Sequence, residues 1–171
     1  MVNLLNRSIA VVLLLTLASC VYMPVTTDDQ SNCTLHTKKF LLKGTNAGNL
    51  ANYYAGISYL KMKNYEKGIE YLENFKSDDQ MLGPVALGAI GDAFADINQP
   101  EDALDYYEKA ANKKNNEFTT PLFLFKAGQT AMELKNYSKA ESLFAKIKEN
   151  YSKSDQGRDI EKFISAAKYA N

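Results

Sequence analysis

One unit recurs three times along this chain, and that recurrence constrains the fold more than any other feature. The stretches YAGISYLKMKNYEKGIEYL (54–72), AIGDAFADINQPEDALDYY (89–107) and KAGQTAMELKNYSKAESLF (126–144) align without gaps. Gly56, Gly91 and Gly128 fall at intervals of 35 and 37 residues. Tyr59, Phe94 and Ala131 keep the same intervals, as do Gly68, Ala103 and Ala140, and then Leu72, Tyr107 and Phe144. A unit of this length that cannot bury its own apolar face must stack on its neighbours, so the chain forms an array with one continuous core.

The spacing within each unit specifies two helices. Glycine inside a helix costs about 0.5–1 kcal/mol relative to alanine. Three glycines in register therefore imply that a second helix approaches closely there, with Ala103 and Ala140 serving the same end from the partner helix. Pro84, Pro100 and Pro121 fall at helix starts, where a missing N–H does no harm. Thr119 and Thr120 read as the capping oxygens ahead of the third repeat. The pattern predicts helices at 48–62, 65–77, 82–97, 100–112, 120–135, 138–150 and 155–170. The last places Ile160, Phe163, Ile164 and Ala167 on one face and reads as a polar-backed cap, which keeps the end of a solenoid soluble.

A small residue, an aromatic three further on, then a small residue and a large one four beyond it, with a period near 34, is the tetratricopeptide-repeat (TPR) pattern. From about Gly44 to Asn171 the chain resembles a family of TPR proteins of the Gram-negative envelope, through the segments GNLANYYAGISYL, LGAIGDAFAD, NEFTTPLFLFKAG and GRDIEKFI. The resemblance implies an all-α fold, a right-handed solenoid of three helix-turn-helix repeats plus a C-terminal capping helix. Its repeats are expected near 49–82, 84–117 and 121–154, within a domain of residues 47–171. Members of that family usually carry a transmembrane helix at the N-terminus, whereas residues 1–43 here lie outside the resemblance.

That N-terminal stretch has a different character. Arg7 precedes an apolar run from Ser8 to Leu17, too short to span a bilayer comfortably, and small residues follow. Leu17-Ala18-Ser19-Cys20 resembles a bacterial lipobox, which implies a signal peptide over 1–19, a diacylglyceryl group on Cys20 and a tether over 20–46. An ordinary cleaved signal, or one retained as an anchor, is the alternative. Lipidation at Cys20 leaves Cys33 as a single thiol, whereas a retained unmodified Cys20 could bridge to it. The lipoprotein reading places the chain in the cell envelope as a periplasm-facing membrane lipoprotein, on either membrane.

Composition and motifs argue against chemistry. Formal net charge is zero, and from Gly44 onward 16 cationic side chains stand against 18 acidic ones. Such a surface exerts no long-range pull on phosphate backbones, so nucleic acid is not an expected partner. The single histidine, His36, sits in the tether with no nucleophile or carboxylate near it in sequence. No phosphate loop, zinc spacing or nucleophile elbow occurs, and no metal or cofactor is expected. The chain reads as a non-enzyme.

In the resemblance the first helix of each pair lines the concave surface. Carrying the register over assigns to that surface Tyr53, Ile57, Leu60 and Lys61, then Asp92 and Asp96, then Phe125, Gln129, Met132 and Glu133. Aspartates in the second repeat depart from the Lys and Asn that grip a C-terminal carboxylate in chaperone-binding TPR domains. The surface instead suits a neutral or basic segment of a partner protein. Packing against the tether or self-association with a second copy is the competing use. The reading is a protein-binding scaffold or adaptor, linked by the resemblance to protein translocation or periplasmic chaperones. The alternative is a permanent structural subunit of an envelope assembly or export complex.

Overall fold

A computed structural model describes residues 44–170. These are seven α-helices: α1 (Asn46–Lys61), α2 (Tyr65–Asn74), α3 (Leu82–Asp96), α4 (Pro100–Lys113), α5 (Thr119–Glu133), α6 (Tyr137–Asn150) and α7 (Ile160–Ala170). From α2 onward each helix packs on the next, and α3 also touches α5, so the first helices of the second and third pairs lie side by side. This is the helical solenoid that the repeat predicts. Cys20, Cys33, His36 and the signal and tether segments up to residue 43 lie outside the described residues.

The three glycines do what their spacing implies. A Cβ on Gly56 would sit 2.5 Å from Leu72 Cγ, and one on Gly91 would sit 2.7 Å from the Tyr107 ring. Phe144 crosses Gly128 in the same way. Each recurring large residue of the second helix thus lies on the recurring glycine of the first, while Ala103 and Ala140 are fully buried.

The turn inside each pair is equally regular. Lys63, Asn98 and Lys135 all adopt φ near +60° (59°, 59° and 57°), one repeat apart. At each, two backbone bonds close a Schellman motif: in the third repeat, Lys135 N–H donates to Met132 O and Asn136 N–H to Ala131 O. The residue that ends this motif caps the next helix. Asn64 and Asn136 each accept, through the side chain, from the amide three residues on, whereas Gln99 makes no such bond. A single tight connection therefore stops one helix and starts the next, fixing the angle between the two.

Beyond shifts of one or two residues, two boundaries and one cap differ from the sequence expectation. Helix α2 stops at Asn74, not 77, because Phe75 turns extended (φ −76°, ψ 128°) and buries its ring. Helix α7 begins at Ile160, not 155: the preceding residues form turns, in which Gly157 N–H donates to Ser154 Oγ at 3.1 Å. Nor do Thr119 and Thr120 cap α5. Asn116 Oδ1 accepts from the amides of Phe118 (2.9 Å) and Thr119 (2.7 Å), and the two threonines, both buried, take bonds from Asn116. Asn116 Nδ2 also reaches Gln80 O at 2.9 Å, tying together the loops that separate the repeats.

The core falls into two neighbouring clusters. Leu72, Phe75, Ala86 and Ile90 hold the first repeat to the second. Tyr107, Phe123, Leu124, Phe144, Ile147 and Ile160, with buried alanines between them, hold the second, the third and α7.

Candidate protein-binding surface

The first helices α1, α3 and α5 can be compared position by position from the glycine that meets the second helix. Helical periodicity of 3.6 residues divides the ten sequence-predicted residues into two groups. Those one and five positions after the glycine are Ile57 and Lys61, Asp92 and Asp96, Gln129 and Glu133. All are exposed except Ile57, which is half-buried. Those three before and four after it are Tyr53 and Leu60, Phe125 and Met132, and all four are half-buried in packing.

Contacts show what holds this second group. Tyr53 packs on Phe75, with ring centroids 5.2 Å apart. Leu60 lies over Gly68 of α2. Phe125 sits between Phe144 (5.8 Å) and Phe163 (4.8 Å), so the capping helix α7 meets its ring edge-on. Met132 packs against the same cluster. These four side chains mainly join elements of the domain to one another.

The outward sector contains residues that the sequence reading passed over. Leu50 and Tyr54, six and two positions before Gly56, are 39% and 62% exposed. Their counterparts are Val85 and Ala89 in α3 and Leu122 and Lys126 in α5, all half-buried. The signal was present: Leu50, Tyr54, Ile57 and Lys61 are spaced at four, three and four, the stripe of one helix face. Of the adjacent pair Tyr53 and Tyr54, the second points outward.

Two polar side chains on this face, Asp92 and Lys126, are engaged with each other. Asp92, half exposed, accepts from Tyr107 Oη at 2.7 Å and pairs with Lys126 Nζ at 2.6 Å. Its charge is thus met from α4 and α5 before any partner arrives. Burial, followed by the hydrogen bond to Asp92, raises the Tyr107 phenol above the ordinary tyrosine range. The Tyr65 phenol is raised too, first by desolvation and then by the charge of Asp96. What remains is a surface apolar at the α1 end and polar across α3 and α5, ending in Gln129 and Glu133.

Among the described residues no group of three or more His, Cys, Asp or Glu side chains is arranged to hold a metal ion. No helix of these residues is long and apolar enough to cross a membrane.

The arrangement is that of a tetratricopeptide-repeat solenoid. The Tetratricopeptide repeat family model matches residues 50–79 and 123–154, the first and third repeats. The second repeat lies between them and is built on the same contact of a first-helix glycine with a large second-helix side chain and on the same turn. Among solved structures, the fold is similar to that in "Crystal structure of MamA", with a TM-score of 0.53 and 16% sequence identity, covering 84% of this chain and 90% of that one. No curated protein matches the sequence.

Proposed function

We propose that this protein is a non-catalytic adaptor that holds a segment of a partner protein against the outward sector of α1, α3 and α5. The observation that carries the reading is the pair Leu50 and Tyr54, apolar and exposed one helical turn apart on the face that stacked first helices share. Solvated apolar side chains gathered on such a face mark interaction sites more often than core, and tyrosine supplies large contact area with a polar tip. TPR repeats of this kind support a role in protein–protein interaction.

The finer assignment rests on the sequence of the first twenty residues. Leu17-Ala18-Ser19-Cys20 behind a short apolar run supports a lipoprotein anchored at Cys20 and facing the periplasm. The adaptor then serves clients of protein translocation or of periplasmic chaperones, as in the envelope family that the repeats resemble. A permanent structural subunit of an envelope complex is the rival role, and self-association would use the same face.

Membrane fractionation with intact-mass analysis tests the anchor: the expected species begins at acylated Cys20, and an unmodified chain starting at Val21 or later contradicts it. Co-purification at rising salt separates the two roles. One stoichiometric partner that survives high salt marks a subunit, whereas salt-labile capture of many clients, weakened by Tyr54→Ala, marks an adaptor.

A further inference from the structure

Helix α1 exposes positions that its counterparts bury. Five before and two after the glycine stand Ala86 and Ala93 in α3, and Phe123 and Thr130 in α5. All four are buried, and each of these helices packs on the second helix of the preceding repeat. The same positions of α1 are Ala51 and Ser58, and both are exposed. The neighbouring edge faces the preceding repeat too, since Lys126, two before its glycine, meets Asp92 of α3 at 2.6 Å. On α1 that edge is Leu50 and Tyr54, again exposed. Leu50, Ala51, Tyr54, Ala55 and Ser58 thus form one strip at positions that receive a helix elsewhere in the array.

The chemistry of the strip suits close contact with another helix. Ser58 Oγ donates to Tyr54 O at 2.7 Å, so its hydroxyl keeps a bond when water leaves. Helix α1 has no acidic residue, and its one charged side chain, Lys61, stands at its last position. The strip is also symmetric about Tyr54. In an antiparallel pair of α1 helices centred there, Leu50 of each copy faces Ser58 of the other, large against small. Ala51 and Ala55 let the backbones approach, and the two tyrosine rings meet on the two-fold axis. Lys61 lies seven residues from Tyr54. The two cations therefore end about 21 Å apart at 1.5 Å per residue, beyond the screening length of about 8 Å. A parallel pair would set them side by side.

We infer that a second copy of this chain covers the strip: two copies pair through antiparallel α1 helices, and the pair hides Leu50 and Tyr54 from a partner segment. Self-complementarity selects this occupant, because a two-fold interface must present the same patch on both sides. The occlusion rests on the adaptor reading, whereas the pairing does not. A contact of one helix per copy is small beside the roughly 800 Å² per partner of a standard interface. The pair is therefore concentration-dependent, and a partner segment can displace it.

Sedimentation velocity of the full chain in detergent, over rising protein concentration, should show monomer passing to dimer. Tyr54→Asp sets two carboxylates on the two-fold axis and should raise the dimer Kd at least about tenfold at low salt, and less at high salt. Leu50→Asp should weaken the dimer as well. Adding Ser58→Lys to it should restore the dimer, because each new charge then faces its opposite across the pair. Tyr169→Asp, on α7, should change nothing. Circular dichroism and melting temperature should stay constant throughout, since all these side chains are exposed. The inference is overturned by a chain that stays monomeric at every concentration, by a dimer indifferent to Tyr54→Asp, or by no recovery in the Leu50→Asp/Ser58→Lys chain. If that monomer still loses client capture in Tyr54→Ala, only the pairing fails and the adaptor reading stands. A dimer whose client capture ignores Tyr54→Ala keeps the pairing and removes that reading.

Discussion

Tyr107, buried in α4, donates its phenol proton to the carboxylate of Asp92 on α3 across 2.7 Å, and Lys126 of α5 closes on the same oxygen at 2.6 Å. One carboxylate thereby joins the second helix of its own repeat to the first helix of the next. Asp92→Ala leaves the buried hydroxyl without its acceptor, which should cost about 1–3 kcal/mol. Lys126→Ala removes only a half-exposed ion pair and should cost under about 1 kcal/mol. Urea melts of both variants check this, and an equal loss in the two would show that the phenol bond contributes little. Asp92 is consequently a poor probe of partner binding, since changing it also loosens the array.

The same bonds make stability sensitive to alkali. Burial first, then the hydrogen bond to Glu73, pushes Tyr106 up to about 12, and Tyr107 is raised in the same direction by burial and Asp92. The folded chain therefore holds these phenolic protons more tightly than the unfolded chain. Their stabilisation is complete below the unfolded tyrosine value of about 10 and is lost as pH rises from there through the folded value. Melting temperature measured from neutral to strongly alkaline pH should fall above that point. In Tyr106→Phe or Tyr107→Phe the neutral value should be lower and the alkaline decline shallower.

At Gly91 a Cβ would meet Cδ1 and Cε1 of the Tyr107 ring, both at 2.7 Å. An aromatic ring locked by a hydrogen bond cannot step aside as a flexible chain end can. Gly91→Ala should therefore destabilise by about 1–3 kcal/mol, although alanine is the better helix former by up to about 1 kcal/mol. Thermal or urea melts that show stabilisation instead would mean that the second helix retreats freely.

Lys135 offers the opposite case. It holds φ 57° at the end of a Schellman turn, a conformation that costs a residue with a Cβ but not glycine. The second repeat has Asn98 at the equivalent place, with φ 59°. Lys135→Asn or Lys135→Gly should stabilise by about 0.5–1 kcal/mol, read as a rise in urea midpoint at constant slope.

How far the sequence reaches is clear from these same residues. Gly56, Gly91 and Gly128 announce the helix contacts because a costly residue recurs in register, and the partners Leu72, Tyr107 and Phe144 recur with them. Local polar detail is less visible. Residues 155–159 carry helix-compatible charges, yet Ser154 and Gly157 fold them into turns, and the oxygen that caps α5 belongs to Asn116, not to the threonines beside it. Within the site, register alone identifies Lys61, Asp96, Gln129 and Glu133 as outward-facing, while Ile57 is half-buried against the first core cluster. Register cannot reveal that α7 covers Phe125 or that Lys126 already neutralises Asp92, because both depend on neighbours distant in sequence. Tyr53 and Tyr54 stand one residue apart on a helix, a rotation of about 100°, so one ring packs on Phe75 while the other is exposed.

The central claim is that a partner segment lies along the outward sector of α1, α3 and α5. Its most direct test is site-specific photocrosslinking in intact cells, with benzoylphenylalanine placed in turn at Tyr54, Gln129 and, on the exposed end of α7, Tyr169. The account predicts adducts of the same mass at Tyr54 and Gln129, lost from the Gln129 probe when Leu50→Ala is added, and none at Tyr169. Adducts at Tyr169 with none at Tyr54 or Gln129 would contradict it.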